Sequence, residues 1–366
     1  MKAFIEYSRP DAQFWQDYTV LWENSTGRPA FQAPHVLRYF AEKSPTPVAV
    51  YKFYVDRTLK GAALFHKKGG AYGFLSDMKT DHNSFVLHSA CSPQEVQDFF
   101  ECFHREMGRE GWTIILNNQP MWAPYMDVFV RSGQKSGLFW LSSRSSVCPM
   151  VQCDTPQELY ERLSKSRNNR YKMNRLQREH DVLFEALTGD EDLENWVREF
   201  CDCHIERWSG TPTPSKYRDS GRRDFLLQCL KAWHRDGILV RFAIKAGEKR
   251  VAFVIGLLQE GTLIYHNLTH APEFSRHSPS LVLVVYLGEW LKERGFATLD
   301  FGDGNEAYKY NFANTEGQLN SIFIASRYKI PFIVRSKLIS AVRSNSFLIQ
   351  LYRQKLRPLS RLMFSA

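Results

Sequence analysis

Patterns typical of helices and strands alternate along this chain, and the same order occurs twice, which restricts the fold more than any other sequence feature. In the first half, a helix pattern at 12–24 precedes strand patterns within 47–75. In the second half, helix patterns within 155–235 precede a three-strand meander at 240–267 and then helix, strand and strand. This order predicts an α/β (α+β) fold with two tandem domains, each a mixed, mostly antiparallel sheet flanked by helices.

The length of the chain also favours two domains. The chain has 366 residues, and a single hydrophobic core stops growing at roughly 250–300 residues. The stretch Ser-Arg-Ser-Ser-Val-Cys-Pro within 143–150 is the expected boundary. The predicted parts are therefore domains at 1–146 and 147–330 and a basic, amphipathic helical tail at 331–366.

Composition argues against several classes of protein. No apolar run approaches the roughly 20 residues that span a bilayer, and the N-terminus lacks the apolar block of a secretory signal, so a cytoplasmic location is expected. The seven cysteines include no Cys-x-x-Cys pair, and no metal site is expected. Basic runs occur without a recognised nucleic-acid-binding motif, so no nucleic-acid partner is expected.

The net charge of +9 is concentrated near the C-terminus. Nine Lys and Arg residues follow Glu316, and no Asp or Glu does. The amphipathic tail at 331–366 could pack on the body of its domain or make a peripheral contact with a membrane. The acid-free basic run at 165–178 could be a solvated face, or a wall that attracts phosphates or an anionic acceptor.

The loop at 272–280 is a candidate phosphate-binding site. A strand at 262–267 leads into this loop, and a helix follows from Pro279, so free backbone N–H groups at the helix start would face the loop. Ser278 is the predicted N-cap of that helix. An ordinary capped helix beside an exposed basic loop is the alternative. The candidate phosphate-binding residues are Arg276, His277, Ser278 and Ser280.

Three segments of the second half carry a family resemblance. They are the basic run Leu163-Ser-Lys-Ser-Arg-Asn-Asn-Arg-Tyr-Lys-Met-Asn-Arg-Leu, the segment His204-Ile-Glu-Arg-Trp208, and Ser278-Pro279 with the later run Leu299-Asp-Phe-Gly-Asp-Gly-Asn-Glu-Ala-Tyr-Lys-Tyr. They resemble GNAT acyltransferases, and most closely the CelD/BcsL-like branch associated with cellulose and exopolysaccharide gene clusters. The resemblance implies acetyl-CoA or another acyl-CoA as donor. One departure is Ser280, which occupies a position where that branch has glycine. Its side chain limits how closely the backbone of the loop can approach the coenzyme.

The run at 299–310 supplies groups for acyl transfer, which needs a base for the acceptor and an acid for the leaving thiolate. Asp303 or Glu306 is the candidate base, and Tyr308 is the candidate acid. Lys309 could bind an anion of the substrate or form a surface ion pair with Glu306. Asp300 is interpreted as a strand-end residue that caps the following turn.

The helix pattern at 193–208 ends in further candidate substrate-binding residues. His204 lies on the apolar face of this helix, where a buried, hydrogen-bonded histidine is the favoured interpretation. Arg207 could reach an anionic group of a substrate. Trp208 precedes a loop, Ser-Gly-Thr-Pro-Thr-Pro, that could gate a cleft.

The resulting hypothesis is an acyl-CoA-dependent N- or O-acyltransferase, most simply an acetyltransferase. Its acceptor would be an amino sugar, a glycan precursor or a small amine, and transfer would be direct. One alternative is a Fem-like transferase, a class that also has tandem GNAT-like halves and uses aminoacyl-tRNA. Another is a non-catalytic binding component of a polysaccharide synthesis system.

Overall fold

The computed structural model describes residues 1–77 and 80–344, which form two compact units. The first unit comprises 1–26, 44–147 and the residues from 318 onward, and the second comprises 27–43 and 148–317. The chain therefore changes unit within the predicted boundary stretch, between Val147 and Cys148. Neither unit is one continuous stretch of sequence.

The strands are β1 (Lys2–Tyr7), β2 (Ala49–Val55), β3 (Thr58–Lys68), β4 (Ala71–Phe74), β5 (Val86–Leu87), β6 (Thr113–Pro120), β7 (Phe139–Gln152), β8 (Val182–Leu187), β9 (Leu239–Ala246), β10 (Lys249–Gln259), β11 (Thr262–His270), β12 (Thr298–Asp300) and β13 (Thr315–Ala325). The α-helices are α1 (Ala12–Glu23), α2 (Pro34–Lys43), α3 (Pro93–Arg109), α4 (Met126–Lys135), α5 (Pro156–Ser164), α6 (Arg167–Glu179), α7 (Leu193–Arg207), α8 (Ser220–Arg235), α9 (Pro279–Glu293) and α10 (Ile330–Ser344).

The first unit is built on a sheet with the strand order β1-β2-β3-β4-β6-β13, in which only the β4–β6 pairing is parallel. Helix α3 begins at a capping box in which Ser92 and Glu95 each bond the other's backbone N–H, as the Ser-Pro start predicts. Its apolar face buries Phe99 and Phe103 against Tyr51 of β2. The Tyr51 hydroxyl donates to the Phe99 carbonyl at 2.7 Å, so the buried phenol has a partner.

The second unit has the strand order β8-β9-β10-β11-β12-β7, in which only the β11–β12 pairing is parallel. Phe253 pairs with Ala243 in the ladder and packs against Trp196 of α7. Phe242 precedes Ala243 in β9, so its side chain points to the opposite face, where it packs against Trp290 of α9. Helices therefore cover both faces of the sheet.

These observations confirm the predicted fold class, and most predicted elements lie within a few residues of the observed ones. One of the predicted helices was wrong. The helix pattern from 155 to 178 is two helices, α5 and α6, separated at Lys165 and Ser166. Ser166 has an extended backbone, and its side chain accepts from the Asn169 N–H, so it starts a new helix within a continuous helical pattern.

Helix α10 begins the predicted tail, whose residues 345–366 lie outside the described part of the chain. Its exposed apolar side chains include Ile330, Val334 and Leu338, at 58%, 51% and 61% exposure. The contact of this tail with a membrane stays a prediction. Within residues 1–77 and 80–344, no helix is both long and apolar enough to cross a membrane.

Arg250 of β10 connects three acidic side chains in the second unit and supports a stability prediction. Its guanidinium, 11% exposed, lies 2.6 Å from Glu185, 2.8 Å from Asp192 and 3.0 Å from Glu199. We expect Arg250→Met to lower the free energy of unfolding by about 2–3 kcal/mol, because it leaves a cluster of like charges around a shielded position. Urea unfolding of both proteins measures this difference.

Lys245→Met is the matched control for this substitution. Lys245 lies 3.9 Å from Glu248, whose side chain is fully exposed, so its loss should cost less than about 1 kcal/mol. Equal effects of the two substitutions would contradict a special role for the Arg250 cluster.

Candidate active site

The candidate site lies where two parallel strands end in the second unit. Ile264 of β11 aligns with Asp300, the last residue of β12, and β11 continues beyond this pair to His270, where it is still paired with β10. Because parallel strands run in one direction, the segments that follow them emerge at the same edge of the sheet. The loop at 271–280 and the turn at 301–310 therefore belong to one region.

The loop after β11 is a 3₁₀ turn at Pro272–His277, and α9 starts directly after Ser278. Ser278 has a left-handed backbone with φ of +48°, a conformation that favours glycine. Ser278 is the N-cap residue of α9, as predicted, but its side chain makes no bond to the first turn, because side-chain caps need an extended backbone. The Ser278 hydroxyl instead accepts from Lys172 Nζ of α6 at 3.0 Å.

The other candidate phosphate-binding residues have different surroundings. Arg276 is exposed, and it pairs with Glu179 at 2.6 Å and donates to His277 Nε2 at 3.0 Å. His277 is only 1% exposed, and burial lowers the pKa of its imidazole. The Ser280 hydroxyl lies 2.9 Å from His270 Nδ1. Arg276, Ser278 and Ser280 are thus open to a ligand to different degrees, whereas His277 is enclosed within the loop.

A small cluster beside this loop has the composition of a metal site. Ligand atoms of Glu179, His180 and His277 lie within 4.8 Å of one another. The Glu179 carboxylate, however, already binds Arg276 at 2.6 Å and Arg175 at 2.8 Å. A cation would have to displace these two guanidinium groups, so the cluster as built holds the loop against α6.

The turn after β12 is organised by Lys309. Its side chain is 3% exposed, and its ammonium group donates to the carbonyls of Gly302, Asp303 and Gly304 at 3.0–3.2 Å. Its fourth partner is the Glu306 carboxylate at 2.9 Å. Lys309 therefore stabilises the turn, and contact with a substrate would require it to exchange one of these partners.

The same turn presents the predicted catalytic groups. Gly304 has φ of +117°, which an L-residue rarely adopts, so the turn needs glycine there. Asp303 and Glu306 are exposed, and Tyr308 is half-buried. The Asp300 carboxylate accepts from the Gly302 N–H at 2.8 Å, which confirms its interpretation as a turn cap.

The end of α7 brings the remaining candidates to this unit. The Nδ1 of His204 lies 2.8 Å from the Ser215 hydroxyl, which agrees with the predicted hydrogen bond, but the side chain is half-buried and not buried as predicted. Its ring stacks on Trp208 with the centroids 5.9 Å apart. Arg207 is half-buried, and it lies close enough to the Cys203 thiol and to the phenols of Tyr308 and Tyr265 for charge on these groups to affect its pKa. The structure thus brings Arg207 near Tyr308.

Two residues of β11 belong to this site and were missed by the sequence analysis. Tyr265 is 1% exposed, its hydroxyl has no partner within the described residues, and burial raises its pKa well above the usual value. Burial, with a smaller contribution from Arg207, lowers the pKa of His270 to about 4. Both side chains are therefore neutral near pH 7. The available signal was the run of polar side chains that follows Leu263 and Ile264 in this strand.

Comparison with known proteins agrees with this architecture. Residues 164–310 match the acetyltransferase (GNAT) domain family. A search of curated proteins found no significant match.

Solved structures share the fold at low identity. The C-terminal domain (DUF2156) of a protein from Agrobacterium fabrum named as a lysylphosphatidylglycerol synthetase has a TM-score of 0.57 at 12% identity, over 90% of this chain and 96% of that one. L-PGS from Bacillus licheniformis has a TM-score of 0.56 at 14% identity, and the match covers 91% of this chain and 98% of that one. FemX has a TM-score of 0.57 at 11% identity, and the match covers 87% of this chain and 97% of that one. Residues 164–310 of the second unit thus carry a GNAT acetyltransferase domain, and the chain is an enzyme.

Proposed function

We propose that the second unit transfers an acyl group from an acyl-coenzyme A thioester to an amine or hydroxyl group of a small molecule or glycan precursor. The observation that carries this proposal is the position of Tyr308 and Arg207 at the sheet edge where the loop before α9 also emerges. A phosphate-bearing donor and a proton-donating phenol would then meet at one place.

The loop before α9 is the proposed position of the coenzyme phosphates. Arg276 and Lys172 supply positive charge there, and the start of α9 adds the positive end of a helix dipole. The backbone offers fewer hydrogen-bond donors to a phosphate, because the N–H groups of Leu281 and Val282 donate to the Ser278 carbonyl. Side-chain charge would therefore contribute more to binding here than a glycine-rich backbone cradle does.

The turn at 301–310 would supply the general base and the general acid of the reaction. As the acceptor attacks the thioester carbonyl, its proton passes to the carboxylate of Asp303 or Glu306. The carbon–sulfur bond breaks, and the departing thiolate takes the proton of the Tyr308 hydroxyl. Glu306 would have to leave Lys309 to act as the base, whereas Asp303 is exposed in its present position.

Acetyl-CoA binding provides the first test. Because a ligand that binds only the folded state raises apparent stability, saturating acetyl-CoA should raise Tm, and an amine panel should release free thiol. The control is Arg276→Gln, which should weaken coenzyme binding without lowering stability by more than about 1 kcal/mol, since its ion pair is exposed. No rise in Tm together with no thiol release would refute the acyl-CoA proposal.

A Fem-like, aminoacyl-tRNA-dependent reaction is the second candidate. It is favoured by the basic residues Lys165, Arg167, Arg170 and Arg178, all of which are exposed on or next to α6. Contacts of this kind with phosphates weaken steeply as salt rises. Binding of charged tRNA in a mobility-shift assay, with no response to acetyl-CoA, would select this candidate over the first.

A further inference from the structure

Arg207 is a half-buried cation that has no counter-ion among the described residues. Within residues 1–77 and 80–344, its guanidinium has neither a carboxylate partner nor a hydrogen-bond acceptor. Burial lowers its pKa, as expected for a charge that is partly shielded from water. A partly shielded charge is less well stabilised than one in water, and an anionic group of a ligand would compensate it.

Other cations of the site differ from Arg207 in this respect. Lys172 donates to Ser278 at 3.0 Å, Arg276 pairs with Glu179 at 2.6 Å, and Lys309 pairs with Glu306 at 2.9 Å. Each of these charges already has a protein partner that holds the loop or the turn. Arg207 is therefore available to a ligand without breaking an existing bond.

The groups around Arg207 do not offset its charge near neutral pH. Burial raises the pKa of the Cys203 thiol to about 11 and that of Tyr265 well above its usual value, so both are protonated. Burial, and to a lesser extent Arg207 itself, lowers the pKa of His270 to about 4, so this imidazole is uncharged. The guanidinium thus lies among neutral polar side chains beside Tyr308.

We infer that Arg207 binds an anionic group of the acceptor, so that the substrate is an amine or alcohol that also carries a carboxylate or a phosphate. This inference rests on the proposed function for the role of Tyr308 as the group next to the reacting centre. Guanidinium matches either anion through two parallel hydrogen bonds. In the proposed function the donor phosphates lie at the loop before α9, where Arg276 and Lys172 would exchange their present partners for phosphate oxygens, which leaves Arg207 for the acceptor.

Matched acceptor pairs test the inference. Glucosamine 6-phosphate is compared with glucosamine, and lysine with 1,5-diaminopentane, in a thiol-release assay with acetyl-CoA. Wild-type protein should show a kcat/KM about tenfold to a hundredfold higher for the anionic member of at least one pair, the usual range for hydrogen bonds to a charged group. Arg207→Gln should abolish this preference, and Arg207→Lys should keep part of it.

Arg198→Gln is the matched control on the same helix. Arg198 is exposed and bonds Asn195 within α7, so its loss should leave the preference intact. Equal rates for the anionic and neutral members in wild-type protein would overturn the inference. So would a loss of acetyl-CoA affinity in Arg207→Gln that matches the loss in activity, because Arg207 would then bind the donor.

A binding measurement separates this inference from the proposed function. In the absence of coenzyme, the anionic member of a pair should raise the Tm of wild-type protein more than the neutral member, and Arg207→Gln should lose the difference. This result would support the anion site even if no acyl transfer occurred. Equal shifts for both members of each pair in wild-type protein would overturn it, whatever the coenzyme does.

Discussion

Replacing Tyr308 by phenylalanine is expected to lower kcat for acyl transfer by about a hundredfold or more, with little change in acetyl-CoA affinity. The substitution keeps the half-buried ring and its edge contact with Phe301, at 6.4 Å between centroids, and removes only the hydroxyl. Loss of a positioned general acid typically costs a factor of this size. Initial rates of thiol release at saturating acetyl-CoA measure kcat, and calorimetry measures the affinity.

Tyr310→Phe is the control for this experiment. Tyr310 is 45% exposed, and its hydroxyl donates to Glu316 at 2.6 Å, so its removal should change kcat by less than about threefold. If Tyr308→Phe lowers only affinity, Tyr308 is a binding residue and not the acid. Equal losses of kcat in the two variants would assign the effect to the turn as a whole.

Acidification is expected to destabilise the first unit through His104. This side chain is 2% exposed and its Nδ1 lies 2.7 Å from the Phe100 carbonyl, whereas its buried Nε2 has no partner among residues 1–77 and 80–344. Burial lowers its pKa to about 4, although the bond to Phe100 acts in the opposite direction. Protonation would therefore place a charge in an apolar core.

The sign and size of this effect follow from linkage. The unfolded chain, with a histidine pKa near 6.5, binds this proton more readily than the folded chain does, so stability is full above about pH 6.5 and falls as pH drops toward 4. Between pH 7.5 and 4.5, His104 alone should cost about 2.5 kcal/mol. Urea unfolding at both pH values measures the difference, and His104→Gln should remove most of it. Parallel pH dependence in both proteins would contradict this assignment.

Much of the architecture could be predicted because it depends on local patterns. The Ser92-Pro93 start of α3 and the turns between β9, β10 and β11 are specified by residues adjacent in sequence. The family resemblance likewise rests on short contiguous runs of sequence. The GNAT domain match at 164–310 lies in the second half of the chain, where these runs predicted it. The split between α5 and α6 was missed because Ser166 looks like an ordinary helix residue until its backbone is seen to be extended.

By itself, the sequence determined the mixed fold, the loop before α9 and the turn at 301–310 as the places where chemistry could occur. Only the tertiary structure decided which groups there are bound and which are free. Lys309 and Arg207 are both candidate anion binders in the sequence. In the structure, Lys309 is enclosed by three carbonyls and a carboxylate, whereas Arg207 has no counter-ion in the part of the chain that the structure describes. The physical reason is that pairing and desolvation depend on groups distant in sequence that the sheet brings together, and periodicity along the chain carries no record of them.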